Sequence, residues 1–101
     1  YLGVHGRTVP IPRFVARNYH VQQGGVEFLA VEPRSPASKG SLKVGDVIVS
    51  IGDHTVEAMD DLHRLLTQLP VSRSTEIALL RNQQLMKKTI TPVKHPLIVD
   101  L

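Results

Sequence analysis

Cysteine is absent from the 101 residues, which excludes a disulfide framework and a thiolate metal site and leaves the redox compartment open. Tryptophan is absent as well, and two Phe and two Tyr offer little area on which nucleic-acid bases could stack. No apolar run approaches the roughly 20 residues of a membrane span; the longest candidates, VIVSI and PLIVDL, are too short or interrupted. There is no signal-peptide pattern, so a targeting segment would lie outside this stretch. Charge of one sign is not concentrated: the formal charge is +3, and the twelve Lys and Arg are spread from Arg7 to Lys94 with Lys87 and Lys88 as the one adjacent pair. That spread reads as a solvated surface more readily than as a nucleic-acid stripe.

Catalytic patterns are equally scarce. The chain has no Gly-x-Ser-x-Gly elbow and no serine set in a glycine-rich turn, so a nucleophile, its base and an oxyanion hole are not assembled. Asp60, Asp61 and His63 are neighbours, but at a helix start they read as a charge cluster favourable to the dipole. None of the five histidines stands three or four residues from another, and no carboxylate cluster completes a metal set. No catalytic residue, metal or cofactor is therefore expected.

What is present is the profile of one small globular domain, 42% hydrophobic and 21% charged. Val4 to Val9 alternates loosely and should stop pairing at Pro10. PRFVARNYH, residues 12 to 20, fits about two helical turns closed by QQGG. GVEFLAVEP reads as a buried strand, and SPASKGSL as a helical turn capped by Ser35 with Pro36 at its first position. VGDVIVSIG is the strongest strand, and DHTVEA adds a short one. From Met59 the apolar residues recur at 62, 65, 66 and 69, a helical period ended before Pro70. STEIALLRNQQLMKKTITPV reads as two strands joined at RNQQ. The expected fold is α+β: a capped barrel or sandwich of five to six short strands with one longer and one or two short helices. Residues 1–93 form the domain, and 94–101 a detachable tail.

SPASKGSLKVGDVIVSIGDHTV resembles the PDZ core of HtrA (Deg) serine proteases, through Ser35, Pro36, Ala37, Leu42, Gly45, Asp46, Val47, Ile48, Gly52 and Val56. The resemblance extends forward to DDLHRLL and to a closing strand ending TPV, and backward to YLGV. Ser41 and Gln83 stand where such domains usually carry Gly, which affects local turn geometry more than the fold.

The resemblance implies a module that binds free C-termini by adding the ligand as an extra strand, a mode in which main-chain hydrogen bonds give affinity and side-chain pockets give specificity. The N–H groups of Leu2, Gly3 and Val4 would hold the ligand carboxylate, since an apolar-Gly-apolar loop allows close backbone approach. His5, Gly6, Arg7 and Thr8 would form the edge for the guest strand. Met59, His63 and Leu66 would line the groove from the helix, with Leu66, Leu2 and Val4 shaping the last pocket. Such domains that prefer Ser or Thr two residues before the end usually carry His where this chain has Met59, so an apolar preference is expected. His63 has two open readings: a groove residue that makes binding pH-sensitive near the ordinary histidine pKa of about 6.5, or an exposed helix residue without a role.

Family resemblance further implies C-termini of misfolded or signalling proteins as partners, a homo-oligomeric parent protease and a periplasmic or otherwise extracytoplasmic home. A PDZ module of another envelope or membrane-associated protein is the alternative in the same class, and a small basic nucleic-acid-binding barrel is the alternative in another. The tail KHPLIVDL ends in an apolar C-terminus at Leu101 that a neighbouring molecule could bind in trans; the other reading is a linker remnant.

Overall fold

A computed structural model of the chain describes residues 2–68 and 73–93. Leu69, Pro70 and the tail 94–101 lie outside the described residues, as does Tyr1. Along the chain run β1 (Val4–Pro10), α1 (Arg13–Tyr19), β2 (Gly24–Val31), α2 (Pro36–Lys39), β3 (Val47–Ile51), β4 (His54–Thr55), α3 (Met59–Gln68), β5 (Thr75–Arg81) and β6 (Gln84–Ile90). The strands make one six-stranded sheet in the order β1-β2-β3-β5-β6, with β4 on β3, and every pairing is antiparallel. β1 reaches one residue further than its proline predicts, because Pro10 is the last residue of the ladder, opposite Gly24.

Alternation along β5 sends successive side chains to opposite faces, and each face has its own core. Ile77 and Leu79 join Phe28, Ile48, Leu2, Ala37, Leu62 and Leu65 in the larger cluster, beneath α2 and α3. Ala78 and Leu80 join Ile11, Val49, Val15 and Ala16 in a smaller one, beneath α1. The sheet is thus covered on both faces, and α3 lies on the face that carries the larger core.

Local chemistry explains the turns. Ser35 Oγ accepts from Ser38 N at 3.2 Å with Pro36 just inside the helix, so α2 starts as its sequence reads. At its end, Leu42 N donates to Ala37 O and Ser41 N to Ser38 O, the two bonds of a Schellman cap, with Ser41 in the left-handed region at φ 66°. The β5–β6 loop is the two residues Asn82 and Gln83, at φ 53° and 64°, a type I′ hairpin that favours Gly at its second position. Both positions where the sequence departs from the family's glycine keep a glycine's backbone conformation.

Two polar groups fasten these parts. Asp46, 1% exposed, receives Arg81 Nε and Nη2 at 2.8 Å each and Lys43 N at 2.9 Å, while Arg81 Nη2 also donates to Ser41 O at 3.0 Å. The hydrogen bonds to Asp46 outweigh partial burial and raise the Arg81 guanidinium above its ordinary pKa. Gln22 Nε2 lies 2.8 to 3.0 Å from the carbonyl oxygens of Gly24, Val49 and Val56, so the polar run after α1 is a staple into the sheet as well as a helix stop.

Candidate functional site

The loop before β1 is held from behind. Ala37 N donates to Leu2 O at 2.9 Å and Glu32 N to Gly3 O at 2.8 Å. In a trans peptide the N–H points opposite to the C=O, so the amides of Gly3 and Val4 are turned away from α2 and β2. Gly3 sits at φ 83°, a conformation that glycine adopts without strain. Leu2 is 1% exposed and belongs to the larger core, with Val4 half-buried at its rim. The Leu2 side chain thus anchors the loop from below.

β1 is an end of the sheet, and among the described residues no strand pairs with its outer side. Which groups point there follows from its neighbour. Phe28 donates its N–H to Asp46 O and accepts from Gly45 N, so both its backbone groups face away from β1. Gly6 stands opposite Phe28, and Thr8 opposite Val26 two residues along; in an antiparallel ladder such pairs turn their N–H and C=O outward. Val4, Gly6 and Thr8 therefore carry the outward backbone groups, whereas His5 and Arg7 spend theirs on β2. A register shift between His5 and Gly6 marks a bulge at this point.

The side chains of His5 and Arg7 are exposed and engaged along the strand: His5 Nε2 lies 3.5 Å from Glu32 Oε1, and Arg7 Nε donates to Glu27 Oε1 at 2.9 Å. Both pairs are solvent-facing and contribute little to stability. They decorate the strand without blocking its outer hydrogen-bonding groups.

α3 supplies the facing wall. Leu62 and Leu65 are buried in the core, Met59 and Leu66 are half-buried against its rim, and His63 is exposed on the same helix. The helix is fixed to β1 at one end, where Met59 N donates to Thr8 Oγ1 at 3.0 Å. At the next inward-facing position the two elements touch: a Cβ on Gly6 would lie 3.4 Å from Met59 Sδ and 2.7 Å from Val26 Cγ1. Asp61 braces the same helix start by accepting from Glu57 N at 2.9 Å and from Arg64 Nη2 at 3.2 Å. The Glu57 bond is the main reason its carboxyl titrates below the usual range.

The expected site residues therefore come together as three neighbouring parts: the loop Leu2–Gly3–Val4, the edge of β1 and the rim of α3. Sequence reading missed the hydroxyl of Thr8 as a cap for α3, and the amides of Glu32 and Ala37 as the braces of the loop. Nothing in local sequence marks Thr8, because its partner lies 51 residues away. The Ser35-Pro36 start of α2 is legible, but its bond to the loop is not.

An edge strand beside a helix, with a braced glycine loop at its head, defines a strand-addition scaffold, and comparison with known proteins places it. Residues 27–81 match the PDZ domain family, and the chain belongs to that family. Over 58 residues it is 38% identical to a probable periplasmic serine endoprotease DegP-like from Halomonas elongata, covering 57% of this chain and 12% of that protein. Among solved structures it is similar to the HtrA-type protease AlgW with a decapeptide, with a TM-score of 0.76 and 22% identity over 95% of this chain and 30% of the other. The HtrA3 PDZ domain bound to a phage-derived ligand, FGRWV, superposes with a TM-score of 0.69 at 18% identity, covering 91% of this chain and 83% of that one. The chain thus spans a small part of the protease relatives it matches.

Proposed function

We propose that residues 1–93 are a peptide-binding module that captures apolar C-termini and regulates, or delivers substrate to, a trypsin-like serine endopeptidase of which they are a part. The observation that carries the reading is the pair of inward-held carbonyls at Leu2 and Gly3, which turns the following amides toward the open edge of β1. A terminal carboxylate would accept from these N–H groups, with that of Leu2 completing the cradle. The last ligand residue would stand opposite Val4 and pack between Val4 and Leu66, burying an aliphatic side chain worth about 1.5 to 3 kcal/mol. Antiparallel alternation then sets the third residue from the end opposite Gly6, beneath Met59, and the fifth opposite Thr8. A thioether offers no strong hydrogen bond there, which favours apolar ligands over Ser or Thr.

The whole protein is read as a homo-oligomeric extracytoplasmic protease, whose ligands are exposed C-termini of misfolded or signalling proteins. A ligand would shift it only by its differential affinity for two states. Self-capture of the Leu101 terminus in trans remains a proposal on the sequence alone. The alternative of a nucleic-acid-binding barrel has no support from the loop and the half-buried rim of the groove, which are built from apolar side chains and backbone amides, and Arg7 on the edge strand is paired with Glu27.

The test is a titration of a hexapeptide ending in Leu-Val against the same peptide amidated at its C-terminus. Hydrogen bonds to a charged group contribute roughly 1.5 to 3 kcal/mol each, so losing two should weaken binding about 100-fold or more. Equal affinities for acid and amide would refute the proposal.

A further inference from the structure

A cavity lies between α2 and the end of β6. α2 is drawn against β6 at Gly40, where a Cβ would meet Ile90 Cγ2 at 2.7 Å and Thr89 O at 3.0 Å. Beside this contact opens a cavity of about 310 Å³. Pro36, Ile90 and Val93 give it apolar walls, and Arg34 and Lys39 stand at its lining with Thr89 and Thr91. Among the described residues neither Arg34 nor Lys39 takes part in an ion pair or a side-chain hydrogen bond. Two exposed cations without a partner among these residues, at the edge of an apolar hollow, are complementary to an anion carried on an apolar stem.

We propose that this cavity is a binding site for a small aliphatic carboxylate, with the carboxylate between Arg34 and Lys39 and the chain against Pro36, Ile90 and Val93. The volume stands at the lower end of the range for ligand pockets, about 300 to 1,000 Å³, which suits an unbranched acid of roughly eight carbons. Guanidinium and ammonium donors to a carboxylate make charge-assisted hydrogen bonds about twice as strong as neutral ones, and the apolar walls discriminate against acids without a chain. The cavity shares no lining residue with the groove, although α2 touches both, since Ala37 N bonds the Leu2 carbonyl of the loop.

The experiment is a titration of the 101-residue protein with sodium octanoate, octan-1-ol and sodium acetate, followed by amide shifts. Octanoate should produce saturable shifts at Lys39, Gly40 and Thr89 to Thr91, with octanol and acetate at least tenfold weaker. Arg34→Gln combined with Lys39→Gln should cut octanoate affinity at least tenfold and leave octanol affinity and the melting temperature unchanged, because both side chains are exposed. Equal binding of octanol and octanoate, unchanged octanoate affinity in the double variant, or shifts confined to other elements would each overturn the assignment. Octanoate also carries the free carboxylate and apolar chain proposed for groove ligands, so shifts at Gly3, Val4 and along α3 report the groove, whereas shifts at Lys39, Gly40 and Thr89 to Thr91 that the double variant abolishes report this cavity; the two readings therefore fail separately.

Discussion

Replacing Gly6 by alanine tests how closely β1 is held by its neighbours. The added methyl would lie 2.7 Å from Val26 Cγ1 and 2.9 Å from the backbone oxygen of Glu27. Val26 is fully buried and the Glu27 carbonyl belongs to the paired strand, so neither yields without moving β2. Met59 Sδ, at 3.4 Å, is a flexible thioether that can step aside. Overpacking of this kind costs about 1 to 3 kcal/mol, while alanine recovers about 0.4 to 1 kcal/mol by restricting the unfolded chain. With two contacts under 3.0 Å the overpacking falls in the upper part of that range, about 2 to 3 kcal/mol, so the net expectation is a loss of about 1 to 2.5 kcal/mol, or at about 4 to 8 °C per kcal/mol, a fall in Tm of several degrees or more. Urea unfolding of Gly6→Ala and of Gly6→Ala/Met59→Ala measures it. The double variant should be no more stable than the single, since removing the thioether leaves the two harder contacts in place. Gly6→Ala stability equal to wild type, or full recovery in the double variant, would refute this account of the groove floor.

Gln83→Gly should stabilise the protein by about 0.5 to 1 kcal/mol in thermal melts, because a left-handed non-glycine residue costs about 1 to 2 kcal/mol and the glycine returns about half of that as chain entropy. Ser41→Gly should act in the same direction, at the Schellman position of α2. Arg81→Met should cost about 3 to 5 kcal/mol in denaturant titrations, since it strands the buried Asp46 carboxylate with a single backbone donor. For pH, the Asp61 carboxyl titrates below its unfolded value, so its contribution is present above that value and is lost as pH falls through the folded one. Asp61→Asn should therefore flatten the acid limb of the stability profile, and an unchanged limb would show that the Glu57 bond is not formed in solution.

Much of this was legible in the sequence. Period and punctuation located α3, the Ser35 cap and the RNQQ hairpin, because each depends on residues within a few positions of one another. The apolar-Gly-apolar head and the Met59, His63 and Leu66 stripe were readable for the same reason. What escaped was bonding between distant segments. Thr8 as a cap for α3, Gln22 as a staple into β3, and Arg81 as the partner of Asp46 carry no local pattern, and only the fold brings them together. Ser41 and Gln83 show the converse: glycine is what the family resemblance implies there, and the turns form without it because flanking hydrogen bonds hold the backbone.

The two ends of the sheet are protected unequally. β6 carries Lys87, 3.8 Å from Glu76 of β5, and Lys88, lysines being a common defence against strand-to-strand aggregation, whereas β1 carries no lysine and has His5 and Arg7, each beside a glutamate of its own sheet. An edge that admits a guest, the role proposed for β1, cannot also be shielded from its own kind. On that proposal crowded or destabilised molecules should begin to aggregate through β1, and a bound ligand would act as a solubility factor for its receptor.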